Sequence, residues 1–88
     1  MKNGDWAESV VKEKVQNIVR QVAKGNTESI DDNSGLFTDG YLDSLNVLEI
    51  IELLENQFSI CFDPEELTDK NFFSIASICQ LILNRLND

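Results

Sequence analysis

Apolar residues recur at steps of three and four along separate stretches of the chain and lose that rhythm between them. Over residues 6–23, Trp6, Val10, Val11, Val15, Ile18, Val19 and Val22 share one side, with Lys12, Glu13, Lys14, Gln16, Asn17, Arg20 and Gln21 on the other. That pattern predicts an amphipathic helix. Its valines are poor helix formers, so the helix depends on what it packs against. Gly25-Asn26 supplies a stop signal. Over residues 44–58 the spacing of Leu45, Leu48, Ile51, Leu54 and Phe58 predicts a second helix with these side chains inward, flanked by Val47, Ile50 and Leu53. Glu49, Glu52 and Glu55 form an acidic stripe on another face of it.

Asp63-Pro64-Glu65-Glu66 is a helix start, with Asp63 at the cap, Pro64 in the first turn and Glu66 three residues after the cap. It predicts a short helix over 64–69. Ser74 caps a last helix over 74–86, with Phe73 and Ile78 spaced as a hydrophobic staple and Ile75, Ile78, Cys79, Ile82 and Leu86 inward. Phe58-Ser59-Ile60-Cys61-Phe62 is too brief for a confident strand pattern and reads as an apolar connector. Between the first two helices periodicity vanishes. Asn26 to Gly35 is turn chemistry, Asp39-Gly40 is a second turn, and Ile30, Leu36, Phe37 and Leu42 are spaced as anchors to a core. Ordered connections of this length in a small domain are more often functional than idle. Together the elements predict an all-α single domain over 1–88: a small four-helix bundle of three main helices and one short one, with a long loop between helices one and two.

Composition narrows the chemistry. The 88 residues make room for one core. There is no histidine, which removes Ser–His and Cys–His nucleophile pairs and imidazole metal sites. Two cysteines cannot make a four-thiolate zinc site, and both follow the apolar pattern of core thiols. Asp31-Asp32-Asn33-Ser34-Gly35 resembles the opening of a calcium loop, but the turn position 36 and the closing position 42 are both leucine. No metal site and no catalytic constellation is expected. The net charge of −9 is unevenly placed: residues 1–24 hold five basic and three acidic side chains, residues 25–88 two basic and 13 acidic. Such a field disfavours nucleic acid and anionic lipid and favours partners with basic patches. The opening Met1-Lys2-Asn3-Gly4-Asp5-Trp6 has no apolar run of a signal peptide. No stretch approaches a membrane span, so a cytoplasmic monomer is expected.

One constellation remains, Leu36-Phe37-Thr38-Asp39-Gly40-Tyr41-Leu42-Asp43-Ser44-Leu45. It delivers a serine to the first turn of a helix with acidic flanks. A phosphate esterified to that hydroxyl would meet unpaired backbone N–H groups and the positive end of the helix dipole. Asp43 or Ser44 also suits a plain helix cap, and capping by Asp43 leaves Ser44 available.

Here the chain resembles the acyl and peptidyl carrier proteins. Asp43-Ser44-Leu45 is similar to their attachment motif, and the order of helices, the Leu-Phe-x-x-Gly approach and the Asp63-Pro64-Glu65-Glu66 turn extend the likeness over nearly the whole chain. The resemblance implies that Ser44 carries 4′-phosphopantetheine, taken from coenzyme A by a separate phosphopantetheinyl transferase that needs Mg²⁺, with Asp43 and Leu45 completing the motif. The arm's thiol would hold cargo as a thioester, so the chain would serve enzymes without being one. Glu49, Glu52 and Glu55 would lie on the helix that docks acyl- or aminoacyl-loading and condensing enzymes through their basic patches. A sheltered acyl chain would slip between the second and third helices, near Val47, Ile51, Phe62 and Leu67. Tyr41 and Leu42 before Asp43, and Asn46 after Leu45, depart from the housekeeping fatty-acid pattern and lie closer to D-alanyl carriers and stand-alone carriers of specialised pathways. An acyl carrier of fatty-acid or polyketide biosynthesis and an aminoacyl carrier, of D-alanyl or peptidyl type, both remain open. So does a non-carrier reading, an acidic helical adaptor with Ser44 as a cap.

Overall fold

The three long apolar periodicities become three α-helices in the computed structural model, which describes residues 6–87. The leader reading at Met1–Asp5 and the final Asp88 lie outside them. The helices are α1 (Glu8–Val22), α2 (Ser44–Phe58) and α3 (Ile75–Leu86), and no strand occurs among the described residues. No helix among them is long and apolar enough to cross a membrane.

α1 packs against both other helices. It buries Val11, Val15, Ile18, Val19 and Val22, and this burial offsets the weak intrinsic propensity of its valines. Val10, predicted inward, is exposed. The helix starts at Glu8 rather than residue 6 because Ala7 is extended; Trp6 instead lies edge-on to Phe58, with ring centroids 5.0 Å apart.

α2 turns inward only the later part of the stripe its spacing predicts, joined by Ile50. Ile50, Leu54 and Phe58 are buried, whereas Leu45 and Leu48 are 75% and 63% exposed. Both sets obey helical spacing. The choice is made by α1 and by Leu36 and Leu42, which join Ile50 and Leu54 in one core. At the far end Ser59 adopts a left-handed conformation and its N–H reaches the Glu55 carbonyl, closing the helix.

The short helix predicted over 64–69 is a single 3₁₀ turn, Pro64–Glu66. Side chains take the groups that a continuing helix would use. Asn71 Nδ2 donates to the Glu66 carbonyl at 2.8 Å, and the Glu66 carboxylate accepts from Asp63 N–H and from Arg85 Nη1, both at 2.8 Å. Arg85 Nη2 also donates to the Cys61 carbonyl at 2.7 Å, so α3 holds this segment in place. A second 3₁₀ turn, Thr27–Ser29, lies between α1 and α2. Ser74 caps α3, its hydroxyl accepting from Ser77 N–H at 3.1 Å. Ile75, Ile78, Cys79, Leu81 and Ile82 are buried on α3, and Leu86 is half-buried.

The cysteines part company. Cys79 is buried, and burial pushes its thiol up to about 11, as for an inert core residue. Cys61, predicted to be in the core, is exposed, because it belongs to the connector after α2 rather than to a helix face.

Candidate functional site

The approach to α2 is set by a tight backbone fold at Gly35–Leu42. Leu36 N–H donates to the Phe73 carbonyl at 2.8 Å, while the Leu36 carbonyl accepts from Tyr41 N–H at 2.9 Å and Leu42 N–H at 3.0 Å. Leu36 and Leu42 are both buried, so the loop is anchored at each end of this turn. Gly40 makes the turn possible: its φ of 84° lies in the left-handed region, which side chains with a Cβ rarely adopt. The chain leaves Leu42 pointed outward, and Asp43, Ser44 and Leu45 are all exposed.

Asp43 is the cap of α2. Its Oδ1 accepts from Asn46 N–H at 3.0 Å, and Asn46 Oδ1 accepts from Asp43 N–H at 3.0 Å, a reciprocal capping box. Its other oxygen, Oδ2, accepts from Lys24 Nζ at 2.8 Å. The ammonium, and then the Asn46 N–H, hold the Asp43 carboxyl below its ordinary range. Lys24 is placed by the backbone too, its N–H donating to the Tyr41 carbonyl at 2.9 Å. The cap is therefore made by Asp43 and Asn46, and the Ser44 hydroxyl takes no part in it. Ser44 sits at the first helical position of α2, at the positive end of the helix dipole.

Beyond Ser44, α2 presents Leu45, Leu48, Glu49 and Glu52 to solvent, with no basic side chain of its own. Glu55, the third acid of the predicted stripe, behaves differently. It is half-buried, and its Oε2 accepts from Phe62 N–H at 2.9 Å, fixing the connector that follows the helix.

A family model described as a phosphopantetheine attachment site matches residues 13–82. The chain belongs to the phosphopantetheine carrier family. No curated protein matches it. Domains of this family are the site of covalent 4′-phosphopantetheine attachment, and they work with a phosphopantetheinyl transferase and with further partner enzymes. The residues present fit such a group: an exposed hydroxyl outside the cap, at a helix start where first-turn N–H groups favour a phosphodiester. When bound, the arm supplies a thiol that holds cargo as a thioester.

The carrier's predicted acyl-sheltering residues are not brought together equally. Phe62 is buried edge-on to Phe72 at 5.9 Å, Val47 and Ile51 are half-buried against the core, and Leu67 is exposed on the segment after the 3₁₀ turn. Two surface concavities lie elsewhere, one between α1 and α3 beside Lys12, Asp32 and Cys79, the other between Trp6, Phe58 and Leu86. Sequence reasoning missed two contributors to the carrier's site. The three-residue spacing of Asp43 and Asn46 is a cap signal of the same kind as that of Asp63 and Glu66. Lys24 gave no signal, since its partner is set by the fold of the intervening loop.

A second carboxylate ties that loop down. Asp32 bridges to Lys12 Nζ at 2.6 Å and accepts from Gln16 Nε2 at 3.0 Å, while its backbone carbonyl accepts from Ala76 N–H at 2.8 Å. Lys12, then Gln16, hold this carboxyl low as well. Both Asp32 and Asp43 thus titrate below their ordinary 3.8 in the folded chain. Their contribution is complete above that value and is lost as pH falls through the depressed folded pKa. Urea midpoints of the wild type minus those of Asp32→Asn/Asp43→Asn should be level above pH 5 and fall below pH ~4. A difference that stays flat down to the acid limit would show that neither pairing matters to folding.

Proposed function

We infer that Ser44 is the residue that bears the arm and that the chain is an acyl carrier of fatty-acid, polyketide or related specialised biosynthesis. The observation that carries the attachment reading is the division of labour at the start of α2: Asp43 and Asn46 make the cap, and the neighbouring Ser44 hydroxyl stands in solvent. In the transfer, Ser44 Oγ forms a bond to the pantetheine-side phosphorus of coenzyme A. The pyrophosphate P–O bond breaks, 3′,5′-ADP leaves, and the serine proton passes to the transferase or solvent. Asp43 and Leu45 complete the motif around it. The acyl reading is supported by the apolar character of Val47 and Ile51, half-buried on α2, and of Phe62 and Leu67 in the chain that follows it. The aminoacyl reading rests on the string Gly40-Tyr41-Leu42-Asp43-Ser44-Leu45. Residues 1–88 then form one carrier domain, acting as a cytoplasmic monomer without chemistry of its own.

Incubation with coenzyme A, Mg²⁺ and a promiscuous phosphopantetheinyl transferase should add the mass of one phosphopantetheine, located at residue 44 by peptide mapping. An unmodified chain would leave the adaptor reading in its place. Intact mass of the chain from its native host would then separate acyl from aminoacyl cargo.

Docking falls to Glu49 and Glu52, with Glu55 contributing field rather than a free carboxylate. An acidic, exposed face suits brief contacts steered by charge. Glu49→Lys with Glu52→Lys should lower kcat/KM for a partner enzyme about tenfold or more at low salt, an effect of encounter rate. The melting midpoint should barely move, because both side chains are exposed. Equal losses of turnover and stability would make the stripe structural.

A further inference from the structure

Asp43 is the acid closest in sequence to Ser44, and both of its oxygens are already engaged. Oδ1 is held by the cap, which α2 needs whatever docks on it. Oδ2 is held by Lys24, which is also exposed, reaches across from the end of α1, and has its own backbone fixed by the Tyr41 carbonyl. The chain has only 7 basic residues, and the net charge of −9 lies mainly beyond residue 24. One of those few cations is therefore seated on the single acid adjacent to the attachment serine. A partner that approaches with a basic patch meets Glu49 and Glu52 exposed and unpaired among the described residues, but must displace an ammonium to reach Asp43.

We propose that Lys24 is a built-in mask on Asp43, an intramolecular cation that occupies the place a partner's basic side chain would take and thereby sets which enzymes dock productively at Ser44. This deepens the attachment reading and rests on it. The mask is reversible by design of its chemistry. The pair is solvent-exposed, so it is weak and exchanges readily, and a better-placed guanidinium can outcompete a single ammonium through bidentate geometry. Enzymes that dock through Glu49, Glu52 and the exposed Leu45 and Leu48 alone leave Lys24 where it is. Enzymes that also grip Asp43 must overcome it, and the carrier discriminates between the two by the cost of that exchange.

The test uses the full apo chain and a phosphopantetheinyl transferase with a basic docking face, comparing wild type with Lys24→Ala, Lys24→Arg and Lys14→Gln. Lys24→Ala should lower KM for the carrier, and its Kd by calorimetry, about two- to fivefold, the range of one exposed ion pair, with kcat unchanged. Lys24→Arg should hold KM at or above the wild-type value, since a guanidinium restores or strengthens the contact. Lys14→Gln removes the same charge from α1 away from Asp43 and should leave KM near wild type. The Lys24→Ala advantage should shrink as salt is raised. An unchanged or raised KM in Lys24→Ala overturns the mask. So does an equal fall in Lys14→Gln, which would reduce the effect to net charge. A lowered melting midpoint with reduced kcat would make Lys24 a structural support of the cap. If no variant takes up the arm at all, the attachment reading fails and the mask with it; uptake with equal KM throughout removes the mask alone.

Discussion

Ser44→Ala should abolish uptake of phosphopantetheine completely while leaving the fold intact. On the proposed attachment the loss is total because the serine oxygen would form the new bond to phosphorus, and alanine offers none. The fold survives because the residue is exposed at the first position of α2 and because the cap is made by its neighbours, Asp43 and Asn46. Alanine is also the better helix former, by a few tenths of a kcal/mol. The melting midpoint should therefore stay within what an exposed surface change produces, about 0.5 kcal/mol. Intact mass after incubation with coenzyme A, Mg²⁺ and transferase reads the first outcome, and thermal melting the second. Residual modification of Ser44→Ala would move the attachment point to another hydroxyl. A collapse of the melt would mean that Ser44 is holding the helix rather than presenting itself from it.

The second large effect separates two faces of the same helix. Leu54→Ala should cost about 2–5 kcal/mol, the usual range for emptying a fully buried leucine site, because Leu54 has no exposed surface and sits in the core with Ile50 and Phe58. Against a total of about 5–15 kcal/mol for a domain, that is a large share. Leu48→Ala, six residues earlier, should cost about 0.5 kcal/mol or less, since most of that side chain already lies in water. Urea unfolding of the two variants side by side checks both numbers. Similar losses would mean that Leu48 is inside and that the outward face of α2 has been misplaced. Partner turnover should respond in the opposite sense: Leu48→Ala lowers it without touching stability.

These two residues also mark where sequence reading succeeded and where it stopped. The three long helices were legible from spacing, and so was the serine at the start of the second, since turn-rich chain gives way there to apolar periodicity. The inward face of α2 was legible only at Leu54 and Phe58. Its sequence is so rich in leucine and isoleucine that Leu45-Leu48-Ile51-Leu54-Phe58 and Ile50-Leu54-Phe58 both fit a helical stripe, and only the packing of α1 and of the Gly35–Leu42 turn selects between them. The segment after Pro64 failed for another reason. Its start signal was real, but Asn71, Glu66 and Arg85 take its hydrogen bonds after one turn, and a side chain arriving from α3 is invisible to a local pattern. Lys24 belongs to the same class, because its contact with Asp43 depends on how the intervening chain folds back.

Arg85 grips the connector that leaves α2, and Trp6 lies edge-on to Phe58, so the first and last described turns of the chain gather at one pole of the molecule. Ser44 begins the same 15-residue helix at its opposite end, roughly 20 Å away at about 1.5 Å per residue. A label or surface linker introduced at the exposed Asn87 would accordingly hang from the base of the particle, and a chain immobilised there would keep its Ser44 pole turned toward the solution.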